Sequence, residues 1–185
     1  MKSLIVVMVL CAMALGSAYA AESTPPTGIT ALPITHLRDG AVHGCGVRLT
    51  GGQPGTPASS WFDVSFNVFR RGIALVQSIA YEIRRSEYDG ESRPSRVPVQ
   101  STWLAATEAG ARVGENTERR ETLFYRLLAD DVLALFEAVA SGRPLTLGIK
   151  RWGERVDTVY TGTAVLDVDS RQRIGACLGA LALDG

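Results

Sequence analysis

The sequence predicts an α+β domain: a mainly antiparallel β-sheet with two helices, the last of them C-terminal and packed on the sheet. Between residues 61 and 70 every second residue from Phe62 to Val68 is apolar, which is the period of a half-buried strand, and residues 145–149 repeat the alternation. Residues 128–139 instead carry apolar side chains at helical spacing. The resulting order of strands, helix, two strands and helix is typical of the α+β class.

The longest predicted feature is a β-hairpin that turns at Arg70, Arg71 and Gly72. Its second strand begins at Ile73, and alternation gives that strand two faces. We expect the face with the bulkier residues to lie in the core beside the apolar face of residues 61–70. Those bulkier residues are Ile73, Leu75, Ile79, Tyr81 and Ile83, with Gln77 as the polar exception.

The remaining elements follow from shorter patterns. Further strands are predicted over residues 44–50, 99–104, 122–127, 145–149 and 156–166, and surface loops over residues 86–98 and 109–120. The first helix is expected to begin near Asp130, whose charge suits a helix N-terminus, and to end at Gly142. Asp169 or Ser170 is expected to cap the last helix.

Residues 1–20 are predicted to be a cleavable secretory signal. Lys2 supplies the positive charge, an uncharged apolar run follows, and the small residues Ala18 and Ala20 suit a signal peptidase. We therefore expect a mature protein that begins at Ala21 and is periplasmic or secreted. The alternative is a lipoprotein signal with a lipidated Cys11, although Leu10 stands where a small residue is expected.

The rest of the chain is divided into two parts. Residues 21–42 hold several Pro, Thr and Gly residues without apolar periodicity, so a flexible or extended leader is predicted. Residues 43–185 are predicted to form a single α+β domain. No later apolar run reaches the length of a membrane span, so no membrane insertion is expected after signal cleavage.

The charge of the chain argues against nucleic acid as a partner. Without Lys2, the 19 basic residues fall to 18 against 19 acidic ones, and no basic cluster marks a polyanion site. Lys150 is then the only lysine and every other basic residue is arginine, which suits fixed contacts with carboxylates.

Two cysteines remain after signal cleavage, Cys45 and Cys177. In an oxidising compartment an isolated pair is most simply a disulfide, which here would join an early strand to the last helix. The alternative makes Cys45 a nucleophile or a metal ligand together with His43, two residues earlier on the same strand face. Two ligands are only half of a metal site, and the only other histidine is His36.

No catalytic motif is found, so we expect no catalytic residue, no cofactor and no metal. No Gly-x-Ser-x-Gly turn and no histidine pair at helical spacing occur. The segment from Asp167 to Ser170 has oxygen ligands for a cation, but helix capping is the favoured interpretation. A hydrolase that uses two carboxylates remains an alternative. Its candidate acids are Glu82, Glu87, Asp130, Asp131 and Asp157.

The residues left for function are tryptophans and arginines at predicted strand ends and turns, the two types that most often dominate protein interfaces. As partner-binding candidates we take Trp61, Arg70, Arg71, Trp103, Arg119, Arg120 and Trp152. The structural alternative is that the tryptophan rings cap the core and the arginine pairs keep edge strands soluble.

The sequence therefore favours an exported, non-enzymatic binding protein that docks a protein partner, such as an immunity protein or an inhibitor of a toxin or hydrolase. The alternatives are an assembly factor of a secretion system or envelope machine and the carboxylate hydrolase. The C-terminal order of a strand ending at Ile149, a strand leading to Gly162 and a helix with Cys177 resembles the ends of small periplasmic accessory and immunity proteins. That resemblance assigns no family.

Overall fold

A computed structural model describes residues 28–52, 60–105 and 111–183. Those residues form mostly antiparallel strands with two helices, as the sequence predicts, and the C-terminal helix packs on the sheet. The strands are β1 Gly28–Arg38, β2 Ala41–Gly52, β3 Ser60–Phe69, β4 Ile73–Arg85, β5 Ser92–Val97, β6 Val99–Ala105, β7 Ala111–Arg120, β8 Thr122–Leu127, β9 Pro144–Arg151 and β10 Thr158–Thr163. The helices are α1 Ala129–Ala140 and α2 Val168–Leu183. Neither helix is long and apolar enough to cross a membrane.

The described strands form two sheets. The first sheet has the order β1-β2-β3-β4-β5, with β8 also paired to β4, and the second has the order β10-β9-β6-β7. Only Pro98 separates β5 from β6, and only Glu121 separates β7 from β8. Two long strands therefore bend out of one sheet into the other. Asn116 supports the bend, because its side-chain amide donates to the carbonyl oxygens of Val99 and Thr122.

The β3–β4 hairpin forms as predicted, but the predicted face of β4 is wrong. Phe66 of β3 lies opposite Val76 and Phe62 lies opposite Ala80, so the inward face of β4 carries its smaller residues. The rings of Phe66 and Phe136 of α1 are 5.8 Å apart between centroids. These phenylalanines fill the space above the sheet, which leaves β4 room only for small inward side chains. The bulkier residues of β4 consequently point away from the helices.

Both helices lie on the inward face of the first sheet. In α1 the buried residues include Val132, Phe136 and Val139, which is the predicted apolar stripe. In α2 the cap is Asp167 rather than Asp169 or Ser170, because its carboxylate accepts the backbone N–H of Ser170 at 2.6 Å. That hydrogen bond lowers the pKa of Asp167.

Two segments predicted to be loops, and part of the segment predicted to be a flexible or extended leader, contain strands. Within that leader segment, residues 28–38 form β1 and pair along their length with β2. Pro33 is tolerated there since β1 is an edge strand of its sheet, where a missing N–H need not interrupt a ladder. The predicted loops at 86–98 and 109–120 contain β5 and β7, whose polar residues conceal the alternation. The predicted signal over residues 1–20 lies outside the described residues.

Candidate functional site

The candidate site is the outward face of the first sheet, which we call the open face. Residues paired directly across antiparallel strands share a face, so the register assigns each side chain to the inward or the outward side. The disulfide of Cys45 and the contact of Phe66 with α1 place both helices on the inward side. No helix or strand in the described part of the chain covers the other side. The open face carries Leu32, Ile34, His36, Arg48, Trp61, Asp63, Ser65, Asn67, Phe69, Ile73, Leu75, Gln77, Ile79, Tyr81, Arg96, Phe124 and Arg126.

Apolar and aromatic side chains form a strip along β4 and its neighbours, interrupted on β4 by Gln77. Trp61 stacks on Tyr81, with ring centroids 5.2 Å apart and planes 13° apart. Next to them Ile79 is only 6% exposed, while Phe124 is 65% and Ile73 is 42% exposed. Exposed apolar side chains gathered on one face make that face a candidate surface for another molecule.

On β1, β2 and β3 the open face also carries polar side chains that are joined by hydrogen bonds. Arg48 donates to both carboxylate oxygens of Asp63, which raises the pKa of the guanidinium. The side-chain oxygen of Asn67 lies 2.8 Å from Nε2 of His36 on β1. Asn67 on β3 reaches His36 on β1 by crossing Gly46 of β2. A Cβ atom at position 46 would occupy the place of the side-chain amide of Asn67. These bonds connect side chains of neighbouring strands across the open face.

The sequence-predicted candidates do not form one site. Trp61 lies on the open face, whereas Arg70 and Arg71 lie at the opposite end of the same hairpin. Trp61 and Arg70 are nine positions apart along an extended strand, so their Cα atoms are about 30 Å apart. Arg70 is half-buried and donates from Nε to the carbonyl oxygen of Val42, whereas Arg71 is exposed with a φ of 66°.

The other four candidates belong to the second sheet. Trp103 lies across Gly148 and donates from Nε1 to Asp157 at 2.6 Å. Trp152, Arg119 and Arg120 lie near one another at one end of that sheet, because Val99 pairs with Arg120 on one side and with Arg151 on the other. Arg120 forms an ion pair with Glu118 on its own strand. Trp103 and Arg120 thus make these polar contacts within the chain, with Asp157 and Glu118.

The predicted disulfide is present. Cys45 of β2 and Cys177 of α2 are bonded, with Cα atoms 5.9 Å apart and a sequence separation of 132. Their exposures are 0% and 5%. The sulfurs are thus structural, and the alternative in which Cys45 is a nucleophile or metal ligand is not supported, since His43 contacts the ring of Phe69 instead.

The acids considered for catalysis are engaged elsewhere or exposed. Glu82 forms ion pairs with Arg84 and Arg151, and Asp157 accepts a hydrogen bond from the indole N–H of Trp103. Glu87 lies in an exposed turn, and Asp130 and Asp131 lie exposed in the first turn of α1. Among the described residues no group of three or more His, Cys, Asp or Glu side chains has the arrangement of a metal site.

No protein-family model, curated protein or solved structure matches this chain. The site is therefore judged from its geometry alone. By that criterion the open face is the strongest candidate, because it combines exposed aromatic area with fixed polar groups.

Most of the open face is not predicted from the sequence. The alternation in β4 predicts that Leu75, Ile79 and Tyr81 lie in the core, whereas they face outward, and no sequence motif singles out Phe124 or Arg126. One signal was available: β4 is apolar on both faces, as a strand covered on both sides would be. An antiparallel hairpin strand of that kind indicates either a second layer within the chain or a surface for another molecule.

Proposed function

We propose that this protein is an exported, non-enzymatic binding protein that docks a protein partner on the open face. The observation that carries the proposal is the orientation of β4, whose bulkier residues point outward onto a face that no described element covers. Exposed aromatic and aliphatic side chains supply buried area on association. The Arg48–Asp63 pair and the Asn67–His36 hydrogen bond supply fixed polar groups around them.

Within this proposal the partner is a toxin or hydrolase that the protein neutralises, as an immunity protein or inhibitor would. A rigid, disulfide-linked sheet suits that task, because an ordered surface loses little conformational entropy on binding. An assembly factor would use the same face, so the identity of the partner decides between the two functions.

Site-specific photo-crosslinking in the cells that make the protein tests the docking. Benzoylphenylalanine in place of Phe124 is expected to form a discrete adduct with one protein, since this position is 65% exposed in the middle of the strip. Ile73→Asp on the same face should abolish the adduct. Leu133→Asp on α1 is the matched control, because Leu133 is 41% exposed and Ile73 is 42% exposed.

The outcomes separate the alternatives. An adduct that is lost only in Ile73→Asp supports docking on the open face, and mass spectrometry then identifies the partner. A toxin or hydrolase as partner supports neutralisation, whereas a component of a secretion system supports assembly. Absence of any adduct, or equal loss in both variants, contradicts docking on the open face. Export is checked separately by the mass of the periplasmic protein, which should begin at Ala21 and carry no lipid on Cys11.

A further inference from the structure

We propose that the open face recognises an acidic protein surface, with Arg96 and Arg126 as the groups that bind its carboxylates. This inference rests on the proposed docking function and adds the chemistry of the partner. It comes from the register of β5 and β8 beside β4, because Arg96 lies opposite Tyr81 and Arg126 lies opposite Leu75. Both arginines therefore project on the side that carries the apolar strip.

Both arginines are available for a partner. Each is exposed, and neither forms an ion pair or a side-chain hydrogen bond with another described residue. Other cations on this face are already engaged: Arg48 is bonded to Asp63, and Arg85 donates to the carbonyl oxygen of Gly90 at the hairpin end.

The open face has a charge excess that the chain as a whole lacks. The full sequence has 19 basic and 19 acidic residues. Asp63 is the single carboxylate at an outward position of the first sheet's described strands, and it is bonded to Arg48. The positive excess on this face thus consists of arginines, and a complementary surface must be negative.

The spacing of the two arginines sets a geometric requirement. Leu75 and Tyr81 are six residues apart on β4, so Arg126 and Arg96 stand about 20 Å apart along the strands. Phe124 and Ile79 lie between them. A matching partner has two carboxylates at about that separation on either side of an apolar strip. Guanidinium groups bind carboxylates in a bidentate manner, which fixes orientation as well as charge.

A folded partner fits this face better than an anionic membrane. Lipid headgroups are attracted by clusters of about four to eight basic residues, whereas here two arginines stand far apart around a mixed surface. Ser65, Asn67 and Gln77 occupy the centre of the face as a polar row, with Ser65 and Asn67 nearly buried. Polar groups at the centre of the face do not match acyl chains, which have no hydrogen-bonding groups.

The experiment combines Arg96→Gln and Arg126→Gln in the protein that carries benzoylphenylalanine in place of Phe124. We expect the adduct yield to fall about five-fold, the effect of losing two rim ion pairs. Arg155→Gln is the matched control, because Arg155 is an exposed arginine in the turn between β9 and β10 and should leave the yield unchanged. Mass spectrometry of the adduct should locate at least two Asp or Glu side chains in the crosslinked segment.

Each outcome has a definite meaning. If the adduct forms but its yield is the same in the double variant, the acidic-partner inference is wrong while docking stands. If no adduct forms at all, docking itself fails. Sedimentation with phosphatidylglycerol vesicles is the third arm: binding of the unaltered protein that is lost in the double variant would assign the two arginines to an anionic lipid surface and overturn the inference.

Discussion

Removal of the disulfide is the sharpest test of how the fold is held together. Cys45→Ala and Cys177→Ala each abolish the same bond, and alanine avoids placing an unpaired hydroxyl at a site that is fully buried. The two single variants should therefore lose similar amounts of unfolding free energy. The double variant should lose little more than either, because the bond is already absent in each single variant.

The expected loss follows from the sequence separation of 132 between the two cysteines. Closing a loop of that length reduces the entropy of the unfolded chain enough to stabilise the native state by about 5 kcal/mol in the chain-entropy treatment. Domains of this size have total stabilities of about 5 to 15 kcal/mol. Loss of the bond is thus expected to remove between about a third and all of that stability.

Guanidinium unfolding followed by tryptophan fluorescence measures the loss, with the oxidised protein, the reduced protein and the three variants in parallel. The reduced protein and the double variant should have the same midpoint, well below that of the oxidised protein. Losses that add between the single variants would refute the reasoning. So would about two reactive thiols per chain in the denatured, unreduced protein, the count expected if both cysteines were free.

Three further predictions follow from the packing and the helix cap. Phe66→Ala should cost about 3 to 5 kcal/mol because it empties a buried position, whereas Phe124→Ala on the open face should change stability by less than about 0.5 kcal/mol; equal losses in denaturant would mean that the two faces are misassigned. Gly148→Ala should displace the ring of Trp103, which lies against that glycine, and reduce stability by about 1 to 3 kcal/mol; unchanged indole fluorescence would contradict the contact. The pKa of Asp167 is depressed in the folded state. The ionised carboxylate therefore contributes to the unfolding free energy above the unfolded pKa, and this contribution is lost as pH falls through the lower folded pKa. Asp167→Ala should consequently lower unfolding free energy at pH 6 more than at pH 2, about one to two units to either side of an ordinary Asp pKa, and a pH-independent effect would disprove the cap.

The sequence predicted the elements with strong periodicity and missed those without it. The alternation around Phe66 and the helical spacing of Val132 and Phe136 specified a strand and a helix. In contrast, β1 and β7 lie at sheet edges, where mixed and polar residues are tolerated, so their patterns resemble loops.

The face of β4 illustrates a limit of single-strand patterns. Alternation shows which residues of a strand share a side, but it does not show which side meets the core. That choice depended on Phe66 and Phe136, which already fill the space between sheet and helix and favour Ala74 and Val76 over larger neighbours. For the same reason the sequence does not predict the candidate site, since the open face exists only because β4 has this orientation.

The two bent strands, β5–β6 and β7–β8, have a consequence for cooperativity. Each contributes one half to the first sheet and one half to the second, so neither sheet is able to separate without pulling on strands of the other. A hydrogen-exchange experiment should accordingly find one opening unit that includes both sheets, with similar protection at Val76 and at Leu147. Two of the pairings, β4–β8 and β6–β9, join strands that are distant in sequence, which predicts slower folding than a sheet of hairpins alone and makes the full open face a late product of folding.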